Sequence, residues 1–135
     1  MIALVDTSVW SLALRRGDGA LSQEALELAE LVREGRTAII GPIRQELLSG
    51  VRKVQQFDLL REHLRSFPDL ELTTNDFELA AEFFNRCRAK GIQGSNTDFL
   101  ICAVASRRRH SVFTTDADFA RFAKILPIVL HAPRS

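Results

Sequence analysis

The sequence predicts an α/β fold in which a parallel sheet of about five short strands is covered by helices on both faces. Three observations lead there. Short apolar runs alternate with longer segments of helical periodicity from end to end. Capping residues and glycines sit where those helical segments should begin and end. No repeat, low-complexity stretch or long linker divides the 135 residues, so the chain reads as a single domain, 1–135.

The elements follow in order. Residues 2–5, IALV, are an apolar run ending at Asp6, the signal of a buried strand. Thr7-Ser8 cap a short helix through Val9 and Trp10 to Leu14, which Gly17 and Gly19 break. Residues 22–34 read as a helix, with Leu21, Ala25, Leu28, Ala29 and Val32 at helical spacing and Gly35 as its stop. TAIIG at 37–41 is a second strand, and Pro42 suits the first turn of a short helix over 43–49 that carries Glu46. A longer helix covers about 53–66, with Val54, Phe57, Leu60 (or Leu59) and Leu64 on one side, and Pro68 ends it. LELT at 70–73 is a third strand. Asn75 or Asp76 caps a helix over about 76–90 that turns Leu79, Ala80, Phe83, Phe84 and Cys87 inward, and Gly91 stops it. Beyond the loop GIQGSN, Thr97 or Asn96 caps a nearly all-apolar helix from Asp98 to about Arg108, which such a composition places at the centre of the fold. SVFT at 111–114 is the fourth strand, a short helix covers about 117–123, and IVL at 128–130 is the fifth strand.

Hydrophobic residues make up 46% and charged residues 26%, the balance of a globular domain able to fold without disulfides or metals as staples. No apolar run approaches the ~18–20 residues of a membrane span. The start, MIALVDTSVW, lacks the basic head and apolar stretch of a signal peptide, so a cytoplasmic location is expected. Cys87 and Cys102 sit among apolar neighbours and read as small buried hydrophobes in a reducing compartment. His63, His110 and His131 have no partner spacing and read as surface or structural residues. The net charge of +1 decides nothing about nucleic acid. The run Arg107, Arg108, Arg109, His110 is either a solvated face or a local patch for phosphate.

In open parallel sheets, ligands bind at the carboxyl ends of the strands. Asp6 directly follows the first strand, Asp116 follows the fourth, and Asp118 is two residues further on. Glu46 sits one turn into the helix after the second strand, and Asp98 opens the apolar helix before the fourth. Each acid has an ordinary reading. Asp98 favours a helix dipole, Asp116 and Asp118 suit a turn and cap, and Glu46 suits a surface. Together they point further, because carboxylates gathered within a few Å cannot all stay ionised without a cation. A set of oxygen ligands without histidine fits magnesium or manganese rather than zinc. Such ions activate water and steady the attacking and leaving oxygens of an in-line phosphodiester displacement.

The strings LVDTSVW, GPIRQELLSG, RAKGIQGSNTDFLICAVA and FTTDADFARF, in this order, resemble the PIN-domain superfamily, and within it the VapC-type toxins of bacterial toxin–antitoxin pairs. The likeness runs from Met1 to about Leu130. It implies a three-layer α/β/α sandwich and a magnesium- or manganese-dependent endoribonuclease. Asp6, Glu46, Asp98 and Asp116 correspond to the four acids of the pattern, which serve in catalysis and metal binding, and Asp118 to a further metal-binding acid. Thr114 corresponds to a hydroxyl residue supporting the metal site, with Thr7 or Ser8 in a similar role. Asn96-Thr97 departs mildly from the pattern before Asp98. The family also implies a small antitoxin partner and a homodimer, with Leu12, Leu14, Phe57 and Leu59 offered as contacts. Arg107, Arg108 and Arg109 are the candidates for RNA binding.

Two other readings compete. One is an inactive PIN-like module that only binds RNA or protein, against which the intact acids speak. The other is a phospho-acceptor signalling domain, whose lysine near the last strand has only the poorly placed Lys124 to answer for it. Phosphate loops of the GxxxxGK type, GxSxG elbows and HExxH zinc motifs are absent.

Overall fold

The computed structural model describes residues 1–14 and 22–134. The break expected at Gly17 and Gly19, the apolar Leu21 and the arginines at 15 and 16 lie outside the described residues. Ten elements follow in order: β1 (Ala3–Val5), α1 (Thr7–Leu14), α2 (Gln23–Arg33), β2 (Thr37–Ala38), α3 (Gly41–Leu48), α4 (Val54–Leu64), α5 (Thr74–Ala89), α6 (Asn96–Arg108), β3 (Ser111–Phe113) and α7 (Asp118–Phe122).

The fully buried β1 is the central strand, with β2 and β3 parallel on either side in the order β2-β1-β3. Among the described residues the sheet has three strands, not about five. The two outer strands expected at 70–73 and 128–130 are reduced to single parallel bridges, Ile39 to Asp69 and Val112 to Leu130. The first follows directly on Pro68, which has no N–H to donate to a ladder.

From β1 the chain crosses one way to β2 and then back past β1 to β3. Right-handed crossovers in opposite directions lie on opposite faces of a sheet. Accordingly α2 packs on β2, with α1 beside it, α3 against α1 and α4 against α3. On the other side α6 packs on β1 and β3, with α5 outside it. This gives the expected three layers. Every residue of α6 from Phe99 to Ala105 is buried, as its apolar composition demands. Trp10 fills the core under α1, its indole N–H donating to the Val5 carbonyl at 3.1 Å and its ring edge-on to Phe67.

Local details differ from the sequence reading. The caps of α5 and α6 are Thr73 and Ser95, each three residues before an aspartate, rather than the residues expected one to three positions later. In α2 the buried face is Ala25, Leu28 and Leu31, while Ala29 and Val32 face solvent. The face is rotated because Glu27, only 3% exposed, points inward to meet the C-terminal segment: His131 lies 2.6 Å away and Arg134 2.7 Å. In α4 Leu64 is buried, but Val54 and Leu59 are 70% and 64% exposed.

Asp76, fully buried, anchors the junction of α5 with the last turn of α6. Its carboxylate accepts from Arg107 at 2.7 Å, from Arg108 at 2.8 and 3.1 Å, and from the Thr73 backbone N–H at 2.8 Å. The Arg108 guanidinium is the main reason its proton affinity falls well below the usual carboxylate range. Arg108→Ala leaves this buried charge half-compensated, so a loss of about 3 kcal/mol in denaturant unfolding is expected. A carboxylate whose pKa is depressed on folding stabilises the fold above its unfolded pKa. That contribution is therefore lost progressively below about pH 4, and acid unfolding of Asp76→Asn should be less steep there than that of the wild type.

Candidate active site

β1 ends where the strand order reverses, and the carboxyl edge between β1 and β3 is the place such sheets offer to a ligand. Asp6, the residue after β1, is 8% exposed and held by neutral donors, with Oδ1 accepting only one bond. Its Oδ1 accepts from the Thr7 backbone N–H at 2.8 Å. Its Oδ2 accepts from the Thr114 hydroxyl at 2.7 Å and the Ser8 hydroxyl at 3.1 Å. Thr114, the residue after β3, also accepts from the Asp116 N–H at 3.0 Å, and Ser8 accepts from the Thr115 N–H at 3.1 Å. These hydroxyls sew the ends of β1 and β3 together. Ser8, an alternative to Thr7 in the sequence reading, does as much here as Thr114.

The other acids reach the same edge from two helices and the loop beyond β3. Glu46 comes from α3, its Oε2 accepting from the Thr7 hydroxyl at 3.2 Å. Asp98 comes from the first turn of α6, which runs antiparallel to the strands and so begins at their carboxyl edge. Its Oδ2 accepts from the Ser95 N–H at 3.1 Å, while the Ser95 hydroxyl accepts from the Asp98 N–H at 3.0 Å. Sequence reading missed Ser95, although Ser-x-x-Asp is a capping signal. Asp116 lies just beyond β3, and its Oδ1 accepts from the Asp118 N–H at 2.9 Å, the turn bond its ordinary reading foresees.

The electrostatics show which acids feel one another. Burial first, then Asp6 and Asp98, push the Glu46 pKa up against the bond from Thr7. Burial first, then Asp116 and Asp6, push the Asp98 pKa up against its bonds to Ser95. The Cys102 thiol, buried one turn further along α6, is held protonated by burial and then by Asp98. Asp6, Glu46, Asp98 and Asp116 thus form one electrostatic cluster. Asp118 stands apart, with its carboxylate paired to Arg121. Arg107, Arg108 and Arg109 are also apart, at the far end of α6, about 15 Å from Asp98 at 1.5 Å per residue. Arg107 and Arg108 are engaged by Asp76.

The donor set suits a hard divalent cation. It consists of four carboxylates without histidine or cysteine, and among the described residues none of the four forms an ion pair. Among the described residues no three acids are drawn close enough to make a finished ligand set. Each carboxylate turns an oxygen to a hydroxyl or N–H rather than to its neighbours.

An acid whose pKa is raised on folding makes the folded state bind more protons than the unfolded one. The stability of the metal-free protein is therefore expected to fall as pH rises from about 4.5 through that window. Glu46→Gln keeps an acceptor for Thr7 and removes the charge. In chelator at neutral pH it should melt above the wild type, with a flatter pH profile by calorimetry.

Comparison with known proteins agrees with this architecture. One chain of the FitAcB crystal structure from Neisseria gonorrhoeae superimposes with a TM-score of 0.78 at 20% identity, covering 98% of both chains. The crystal structure of VapBC2 from Rickettsia felis, bound to a DNA fragment from its promoter, gives 0.76 at 20% identity, covering 97% of this chain and 98% of that one. VapBC-5 from Mycobacterium tuberculosis, a member of the VapBC family of toxin–antitoxin systems, gives 0.67 at 21% identity, covering 97% of this chain and 100% of that one. At such identities the likeness speaks for the fold. No curated protein sequence matches the chain. The PIN domain family profile matches residues 3–125, nearly the whole length, and the chain belongs to the PIN domain family.

Proposed function

We propose that the chain is a magnesium- or manganese-dependent endoribonuclease and the toxin of a toxin–antitoxin pair. One observation carries the nuclease reading. Four carboxylates from four separate segments lie toward the carboxyl edge of the sheet, two with proton affinities raised by burial and by their neighbours' charge, and among the described residues no basic side chain pairs with them. Such an arrangement costs stability and needs a compensating ligand.

Asp6, Glu46, Asp98 and Asp116 would hold the ion. Asp118 joins them only by leaving Arg121. A divalent ion here supplies charge stabilisation for an in-line phosphodiester displacement. The chain's own residues supply the rest. Thr114 and Ser8 fix Asp6 in one rotamer, and Thr7 orients Glu46. Ser95 holds one oxygen of Asp98 and leaves Oδ1 without a partner among the described residues. Glu46, exposed and with its proton affinity raised, is the acid suited to take a proton from attacking water at Oε1.

The toxin reading is supported by the fold shared with FitAcB and VapBC structures. It is also supported by a cavity of about 700 Å³ where α1 meets α4, lined by Leu14, Leu59 and Leu60 among others. Leu12 and Phe57 lie beside it in sequence, half-buried. This groove is the candidate contact for a small antitoxin or for a second copy in a homodimer. No described helix is long and apolar enough to cross a membrane.

Purified protein should cut RNA with manganese or magnesium and stop in excess chelator. Asp98→Asn should lose at least 100-fold in rate while keeping its fold by circular dichroism. Manganese at 100 times its dissociation constant should raise wild-type stability by about 2.7 kcal/mol and that of the variant by much less. Cleavage that persists in chelator would overturn the metal mechanism. In cells, expression of the active chain alone should slow bacterial growth, and a small cognate antitoxin should relieve it. Harmless expression of an active enzyme would overturn the toxin role alone.

A further inference from the structure

We propose that Arg86, Arg88 and Lys90, at the C-terminal end of α5, form the cationic rim that grips the phosphate backbone of an RNA strand entering the acid cluster. The proposal rests on the nuclease reading for its substrate, and on separate observations for its place.

The first observation is direction. α5 and α6 pack along their length and are joined by a short loop from Lys90 to Ser95, so they run antiparallel. α6 begins at the carboxyl edge with Asp98, so α5 must end there. Asp76 confirms the opposite end, where the start of α5 meets Arg107 and Arg108. The basic last turn of α5 therefore stands beside the acids, and the more conspicuous run 107–109 does not.

The second observation is what holds these cations. The Arg88 guanidinium lies over the Phe84 ring at 5.6 Å, and Arg86 over Phe83 at 5.4 Å. Phe84 stands edge-on to Phe99 with centroids 5.5 Å apart, and Phe99 is the residue after Asp98. A chain of two ring contacts thus ties Arg88 to the helix turn that carries an acid of the cluster. Phe99 in turn packs on Phe122 of α7 at 4.9 Å. Gly94 lets the loop close there, since a Cβ at that position would come within 2.6 Å of Phe122.

The third observation is availability. Arg86, Arg88 and Lys90 are exposed and, among the described residues, form no ion pair; Arg88 donates only to Asn85 at 3.2 Å. Glu82, one turn earlier on α5, pairs with neither arginine. Cations at a helix C-terminus also answer its dipole, and two of these are in addition seated on rings that leave their N–H edges free. Guanidinium and ammonium groups so presented suit phosphate oxygens. They also offset the repulsion that an acidic cluster exerts on a polyanion.

The test uses a fluorescent 12-nucleotide oligouridylate, with binding followed by anisotropy on the full-length Asp98→Asn protein in chelator, where cutting cannot interfere. The triple substitution R86Q/R88Q/K90Q should weaken binding at least tenfold near 0.1 M salt. It should also reduce the slope of log affinity against log salt by about 2, near 0.7 for each phosphate no longer neutralised. With residue 98 restored, the triple variant should raise KM for the same oligonucleotide and leave kcat within about twofold. Arg33→Gln, on the far side of the molecule, should change neither. Binding and salt slope equal to the parent's would overturn the rim, even if the wild type cuts RNA. If the wild type cuts nothing with manganese but the triple variant still loses affinity and slope, the rim stands and the nuclease reading falls.

Discussion

Like charges crowded at the end of β1 are the constraint to which the rest of the molecule answers. Like charges raise one another's proton affinity, and this site brings four carboxylates to one edge without an ion pair among the described residues. The fold tolerates them because each is held by neutral donors. Thr7, Ser8 and Thr114 surround Asp6, and Ser95 binds Asp98. Hydroxyls and backbone N–H groups orient a carboxylate without cancelling its charge, so the acids stay available to a cation. A lysine or arginine in the same place would stabilise the fold by pairing with them instead.

α6 shows how one helix serves both ends of such a design. Its middle is wholly apolar and buried, so it cannot shift without exposing the core. At its start Asp98 takes part in a capping box, which makes the site residue also a structural one. At its end Arg107 and Arg108 neutralise the buried Asp76 and lock α5 alongside. The compensated acid and the uncompensated Asp98 sit at opposite ends of the same rod.

Much of the site was legible along the chain. Asp6 ends an apolar strand, Asp116 follows another, and Asp98 opens an apolar helix; in the structure the charges of Asp6, Glu46 and Asp116 all act on or with that of Asp98 at one edge of the sheet. The parallel sheet and the helices on both faces follow from the alternation of elements. The two outer strands were overcounted because an apolar run says nothing about how many partners it will find, and each forms a single bridge. Asp118 reads like its neighbour Asp116 in one dimension, yet Arg121 one turn on takes its carboxylate.

By itself the sequence determined the helices, the three inner strands and the acids, because periodicity and composition are local properties. What only the tertiary structure decided is which charges meet. Glu27 looks like any polar residue of α2 until the bridge at Leu130 carries His131 and Arg134 to it. Arg107 and Arg108 look like a phosphate patch until Asp76, more than 30 positions earlier, claims them. Arg86 and Arg88 are two arginines among many along the chain. The antiparallel packing of α5 on α6 brings them to the site edge, and charge acts through distance in space rather than separation along the chain.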